Sequence, residues 1–198
     1  KDVQMMEVRT QNVVGMLQSN DPLLSKEYIV IGAHYDHLGM GGPGSGSRKP
    51  DTSAVHNGAD DNASGVSAII EIIEKLAANK DKLKRSVIFV AFGAEEMGLL
   101  GSTYFVDNPP VPLKDIAFML NLDMIGRIDP AKKALTAYGT GTAEGLSEMV
   151  ISKFAEIDTT YKVSESPEGY GPTYHSAFYG KDISVFSFFG IVHEDYHT

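Results

Sequence analysis

The sequence predicts an α/β protein: a mixed, mostly parallel central sheet with helices on both faces. Three observations carry that expectation. Short apolar, β-branched runs alternate along the chain with amphipathic stretches of helical period, the order that a helix-flanked sheet produces. The central runs are apolar throughout rather than alternating, which suits strands buried on both faces. Each of those central runs then ends abruptly in histidine or acidic residues.

Taken in order, residues 3–18, VQMMEVRTQNVVGMLQ, alternate loosely and predict one or two antiparallel strands. EYIVIGAHYD (27–36) predicts a buried strand, and the Gly-, Ser- and Pro-rich residues 38–58 a long loop. That loop resembles a phosphate-binding loop only in glycine content, since it has no Gly-Lys-Ser/Thr ending. Residues 63–79 predict the clearest helix, with Val66, Ile69, Ile70, Ile73, Leu76 and Ala77 at helical spacing and Glu71 and Lys75 as an outward pair. SVIFVAFGAEE (86–96) is a strand, GLLGSTYFVDN (98–108) a helix and IAFMLNLDMIG (116–126) a strand. ALTAYGT (134–140) is a strand, residues 143–157 a helix, TYKVSES (160–166) a short strand and DISVFSFFGI (182–191) a final buried strand. Phe186, Phe188 and Phe189 are expected in the core.

With 198 residues, 42% hydrophobic and 22% charged, the chain fits one soluble domain or at most two small ones. A net charge of −9 argues against a nucleic-acid partner, and no apolar run approaches the ~18 residues of a membrane span. The absence of cysteine removes disulfides, zinc knuckles and thiol nucleophiles together. The chain opens at Lys1 in strand-like sequence and stops just after a hydrophobic strand. Residues 1–198 are therefore expected to be a single domain excised from, or truncated within, a longer chain.

The strand endings carry the functional reading. His34, Glu95 with Glu96, Asp123, and then His193 and His197 follow successive apolar strands. In open α/β sheets the carboxyl ends of strands line the ligand crevice, so these groups are expected to converge. Imidazole and carboxylate without thiolate suit zinc, manganese, cobalt or iron. More carboxylates are present than one ion can use, and two ions ~3.5–4 Å apart would need a carboxylate between them. Adjacent residues at a strand end point in opposite directions, so Glu95 and Glu96 are not expected to share an ion. Asp36, two residues beyond His34, projects to the same side and is expected to hold its imidazole.

In their order, GAHYDH, GADDNASG, FGAEEMGLLGS, NLDMIG and HEDYHT are similar to the co-catalytic zinc aminopeptidases of clan MH. That family includes bacterial leucyl aminopeptidase, with glutamate carboxypeptidase and glutaminyl cyclase as relatives, and the resemblance runs from about Tyr28 to Thr198. It implies the zinc-exopeptidase (phosphorylase/hydrolase-like) fold and two Zn2+ per chain, with Co2+ or Mn2+ as substitutes. Carried onto this sequence, it makes His34, Asp61, Glu96, Asp123 and His197 the metal ligands, with Asp61 the bridge. Glu95 becomes the general base and Tyr170 a stabiliser of the oxyanion. Peptide or protein N-termini are the implied substrates, and the implied location is extracytoplasmic. Where relatives commonly have Ser-Asp-His, this chain has Thr173-Tyr174-His175; His175 survives as an outer support of the site and the aspartate does not.

Taken singly, each of these residues has a plainer reading. Asp61 could be a first-turn acid at a helix start, Glu95 and Glu96 a helix-start pair, Asp123 a turn residue and His34 a structural histidine. Asp60 is expected to keep such a local role, and His37 and His56 are read as loop histidines. HEDYH (193–197) literally fits the single-zinc His-Glu-x-x-His pattern. It follows a strand rather than lying on a helix, so His193 is expected to be a loop or substrate-side residue. Three other functions stay open. A glutamate-type carboxypeptidase would need a cation, for which Arg127 is the nearby candidate. A glutaminyl cyclase would keep one zinc, and a non-catalytic binding module would keep none.

Overall fold

A computed structural model describes residues 9–157 and 160–198. Residues 3–8 of the first expected strand segment lie outside the described residues. Among the described residues eleven strands and α-helices occur, all but α4 in the predicted order: β1 (Val13–Leu17), β2 (Tyr28–His34), α1 (Gly65–Ala78), β3 (Ser86–Phe92), α2 (Leu100–Asp107), β4 (Ile116–Asp123), β5 (Ala134–Tyr138), α3 (Leu146–Ile157), β6 (Lys162–Ser166), α4 (His175–Tyr179) and β7 (Ser184–Phe189).

The strands form one seven-stranded sheet in the order β1-β3-β2-β4-β7-β5-β6. The four central strands, β3, β2, β4 and β7, run parallel. β1 joins β3 antiparallel, as the sequence led one to expect, and β5 joins β7 antiparallel. All four central strands therefore deliver their carboxyl ends to one edge of the sheet. β2 pairs with β3 through His34↔Phe92, whereas its ladder with β4 runs only as far as Gly32↔Asn121.

Successive residues of the central strands point to opposite faces, and each face has its own core. On one, Val30, Val90, Phe92, Met119 and Val185 pack with Phe105 of α2 and Phe178 of α4. On the other, Ile31, Ala33, Phe89 and Leu122 pack under Ile69 of α1, and Ala137 and Phe186 under Leu146 and Val150 of α3. Phe188 packs partly buried beside them.

α1 departs from expectation in one respect. Its buried side is Gly65, Val66, Ile69, Ile72 and Leu76, while Ile70 and Ile73 are 52% and 36% exposed. The apolar stripe on this helix is wider than the sheet surface beneath it. Phe92, 1% exposed, sits among the rings of Phe105, Tyr174 and Phe178. Phe92→Ala should cost ~3–5 kcal/mol in urea unfolding, and Ile70→Ala about 0.5 kcal/mol or less. Equal losses from the two would contradict this account of the core.

Candidate metal centre

The strand ends place the functional side chains directly. His34 is the last residue of β2 and Asp123 the last of β4. The chain then turns hard: Ala94, just before Glu95, and Met124, just after Asp123, both adopt positive φ (53° and 49°), as does His197 (57°). Each such conformation costs a non-glycine residue about 1–3 kcal/mol and is typical of functional sites. Asp61 sits in the turn of residues 59–64 ahead of α1. Asn62 anchors that turn: its amide donates to the Leu122 carbonyl (2.9 Å), and its side-chain oxygen accepts from Gly65 N (3.0 Å) and Met124 N (3.3 Å). Gly65 is required here, since a side chain would strike the Leu122 carbonyl and Asn62 itself.

Two donor groups result. His37, Asp61, Glu96 and His197 form one, and His34, Glu95 and Asp123 the other; within each group a ligand atom from every residue lies within 4.8 Å of the others. Asp61 joins them. One of its carboxylate oxygens lies 3.1 Å from His34 Nε2 and the other 3.1 Å from His197 Nε2. Glu95 and Glu96 fall in different groups, as the geometry of adjacent residues requires.

The tautomers follow from the hydrogen bonds. His34 Nδ1 donates to the Asp36 carbonyl (3.0 Å) and His197 Nδ1 to the Gly46 carbonyl (3.1 Å), so both rings turn Nε2 to the cluster, the atom a cation would take. His193 accepts from Arg127 at Nδ1 (3.2 Å) and therefore spends Nε2–H on Asp60 (3.1 Å), leaving no lone pair for an ion. His56 is likewise satisfied, by the Ala54 carbonyl and the Ser47 hydroxyl, and is structural.

The charges strain against one another. Burial pushes the Glu95 carboxyl up; the charges of Asp123, Glu96 and Asp61 add to this while His34 opposes it, bringing the pKa to about 8. Burial works against a charged His34, yet the carboxylates of Asp123, Asp36 and Asp61 outweigh it and raise its pKa. Asp61 is held below the ordinary carboxylate range because His34, His37 and His197 overcome its burial. The centre of the cluster thus calls for positive charge.

Most residues singled out in the sequence meet here, with corrections. The carboxylate of Asp36 faces His34 Nδ1 at 3.7 Å, an ion-pair contact longer than a hydrogen bond. It accepts instead from the backbone N–H of Glu95 (3.0 Å) and of Glu96 (3.3 Å), while its carbonyl orients the imidazole. Tyr170 is not brought to the cluster: it is 61% exposed and packs edge-on against Tyr179. His37, set aside as a loop histidine, does reach it, 2.9 Å from Glu96. Asp60 keeps a local role, accepting from Gly126 N (2.7 Å) and facing His193. Tyr196 was missed. It stacks on His197 (3.8 Å between centroids) and lines, with Asp61, Arg127 and His193, a cavity of about 310 Å3 beside the cluster. Its position directly before His197 was the available signal.

The donor set fits a divalent cation. Asp123 Oδ1 is buried without a hydrogen-bond partner, two imidazoles turn Nε2 inward, and nitrogen with carboxylate oxygen suits zinc. A mostly parallel sheet whose carboxyl edge gathers two such groups around a shared carboxylate defines a class, the α/β metalloproteins with their ions at the strand ends. Within that class the chain belongs to peptidase family M28, whose profile matches residues 12–198. It is similar to aminopeptidase YwaD of Bacillus subtilis, 33% identical over 59% of this chain and 22% of that one. A probable leucine aminopeptidase of Arthroderma otae is 29% identical over 79% of this chain and 44% of its own. Among solved structures, the zinc aminopeptidase BSAP of Bacillus subtilis superposes with a TM-score of 0.71 at 27% identity, over 94% of this chain and 43% of that one. The chain thus spans less than half the length of these relatives.

His175 is fully buried, and neither ring nitrogen has a partner. Burial lowers its pKa from 6.5 to about 4, against the pull of Asp123. The unfolded chain therefore binds the extra proton first, so this residue's contribution is complete above pH 6.5 and is lost as pH falls toward 4. At about 1.4 kcal/mol per unit, the loss is at most about 3.5 kcal/mol. Urea midpoints for the parent and His175→Phe should converge as pH falls through this window; parallel curves would contradict the assignment.

Proposed function

We propose that residues 1–198 form the catalytic domain of a metal-dependent exopeptidase, an aminopeptidase using two zinc ions. The observation that carries this reading is Asp61, whose two oxygens face His34 and His197 separately at 3.1 Å. One ion would be held by His34 and Asp123, the other by Glu96 and His197, with Asp61 between them. Two bound cations supply Lewis-acid polarisation of the scissile carbonyl and acidify the attacking water.

The remaining chemistry belongs to the chain. Glu95, its backbone N–H held by Asp36, stands outside the proposed ligand set and is therefore free to take a proton from water and hand it to the leaving amine. Tyr196, by its place in the cavity, is the phenol available to hydrogen-bond the oxyanion. The rim favours a substrate ammonium over a carboxylate. Arg127, which lines the cavity, is paired with Asp195 at 2.7 Å, whereas Asp60 and Asp61 line it as well. This supports N-terminal over C-terminal trimming. The resemblance also supports work outside the cytoplasm; among the described residues no helix is long and apolar enough to cross a membrane.

Glu95→Gln should lower kcat by at least about 100-fold while two equivalents of zinc remain bound by elemental analysis. Near-parental turnover in that variant would refute the role of Glu95. Peptides with free N-termini should be cleaved and N-blocked ones spared, with activity lost to chelator and regained with zinc. Cleavage of blocked peptides from their carboxyl end would favour the carboxypeptidase instead.

A further inference from the structure

Tyr174 stands where relatives commonly carry an aspartate, and nothing in the chemistry above uses it. It is fully buried. Its hydroxyl reaches two backbone carbonyls, Leu122 O at 2.9 Å and Gly32 O at 3.1 Å, one residue before Asp123 and two before His34.

Those carbonyls sit where the sheet divides. The β2–β4 ladder stops at Gly32↔Asn121. Beyond it each strand keeps only its outer neighbour, His34 beside Phe92 of β3 and Asp123 beside Phe189 of β7. The two central strands thus part as a fork, with His34 Nε2 and Asp123 Oδ1 facing each other at its tips, 3.5 Å apart. Tyr174 spans the crotch of that fork, its hydroxyl placed between the Gly32 carbonyl of β2 and the Leu122 carbonyl of β4, the latter also accepting from Asn62. Its ring is held by Phe92 (4.9 Å between centroids) and lies edge-on to His34 (6.1 Å, 73°). Its backbone N–H donates to Thr173 Oγ1, which accepts from Asn121 of β4. A phenol keeps its proton at neutral pH, so Tyr174 is a donor there. An ionised aspartate has no proton to offer a carbonyl.

We infer that Tyr174 is a positioning residue that sets the separation of His34 and Asp123, and through it the affinity of the cation site they share. The inference rests on the metal-site reading above.

The test is binding rather than turnover. Metal-free protein is titrated with zinc by calorimetry and with Co2+ by visible absorption. Tyr174→Phe should weaken one of the two binding steps by about 10–100-fold and alter the cobalt spectrum of that step alone. Phe178→Leu, a change in the same buried ring cluster, should lower the unfolding midpoint and leave both steps intact. Unchanged binding in Tyr174→Phe, or equal weakening in Phe178→Leu, overturns the inference. A parent protein that binds neither metal overturns the metal-site reading itself. If Tyr174→Phe does not fold, 3-fluorotyrosine placed at position 174 keeps the ring and hydroxyl. Its fluorine resonance should shift with one equivalent of zinc, and a signal indifferent to both overturns the inference.

Discussion

Asp61, Glu95, Glu96 and Asp123 crowd against His34, His37 and His197 at one edge of the sheet, and the repulsion among these four carboxylates is the constraint to which the surrounding structure answers. In water such a cluster would spread apart; here the strands hold it together. The backbone supplies part of the compensation. Asp36 takes up the N–H groups of Glu95 and Glu96, and two carbonyls fix the imidazoles so that Nε2 of each faces the acids. What the protein leaves uncompensated is the demand for cationic charge at the centre. A cation satisfies that demand better than protons do, because it offers several coordination positions at once.

The two acidic pairs illustrate how neighbours in sequence acquire different work. Asp60 and Asp61 are both buried, yet Asp60 turns to Gly126 and His193 and Asp61 to the cluster. The pair is tolerable because each carboxylate has its own set of donors. Glu95 and Glu96 separate in the same way, one on each side of the shared aspartate. Neither division reflects a difference in residue type. Both come from the alternation of side-chain direction along an extended or sharply turning backbone.

The frame of the fold and most of the site were legible in the sequence, because period and strand endings are local signals. Apolar runs closed by His34, Glu95–Glu96 and Asp123 could be read without knowing how strands pair, since any parallel arrangement brings their carboxyl ends together. What escaped was set by contacts across the sheet. That Asp36 would act through its carbonyl depends on the turn after β2, and Asn62 is anchored by β4, a strand sixty residues away. The exposure of Ile70 and Ile73 reflects how much of α1 the sheet covers, which no helical period reports. Tyr170 and Tyr196 are one residue type in two loops, and only the folded path of the chain distinguishes the exposed phenol from the one beside His197.

The contact between Asp61 and His197 joins residues 136 apart, and five of the seven strands lie between them. A cation there is a long-range tie across most of the chain, comparable in reach to a crosslink in a protein that has no cysteine. Because its ligands would come from residues 34 to 197, ion occupancy and global folding would be linked equilibria. Free metal at 100 times its dissociation constant would add about 2.7 kcal/mol to stability. That gain would apply to the sheet as a whole rather than to the loops that carry the ligands. Since such long-range contacts form slowly, the edge that carries the donor cluster comes into being only as the fold is completed.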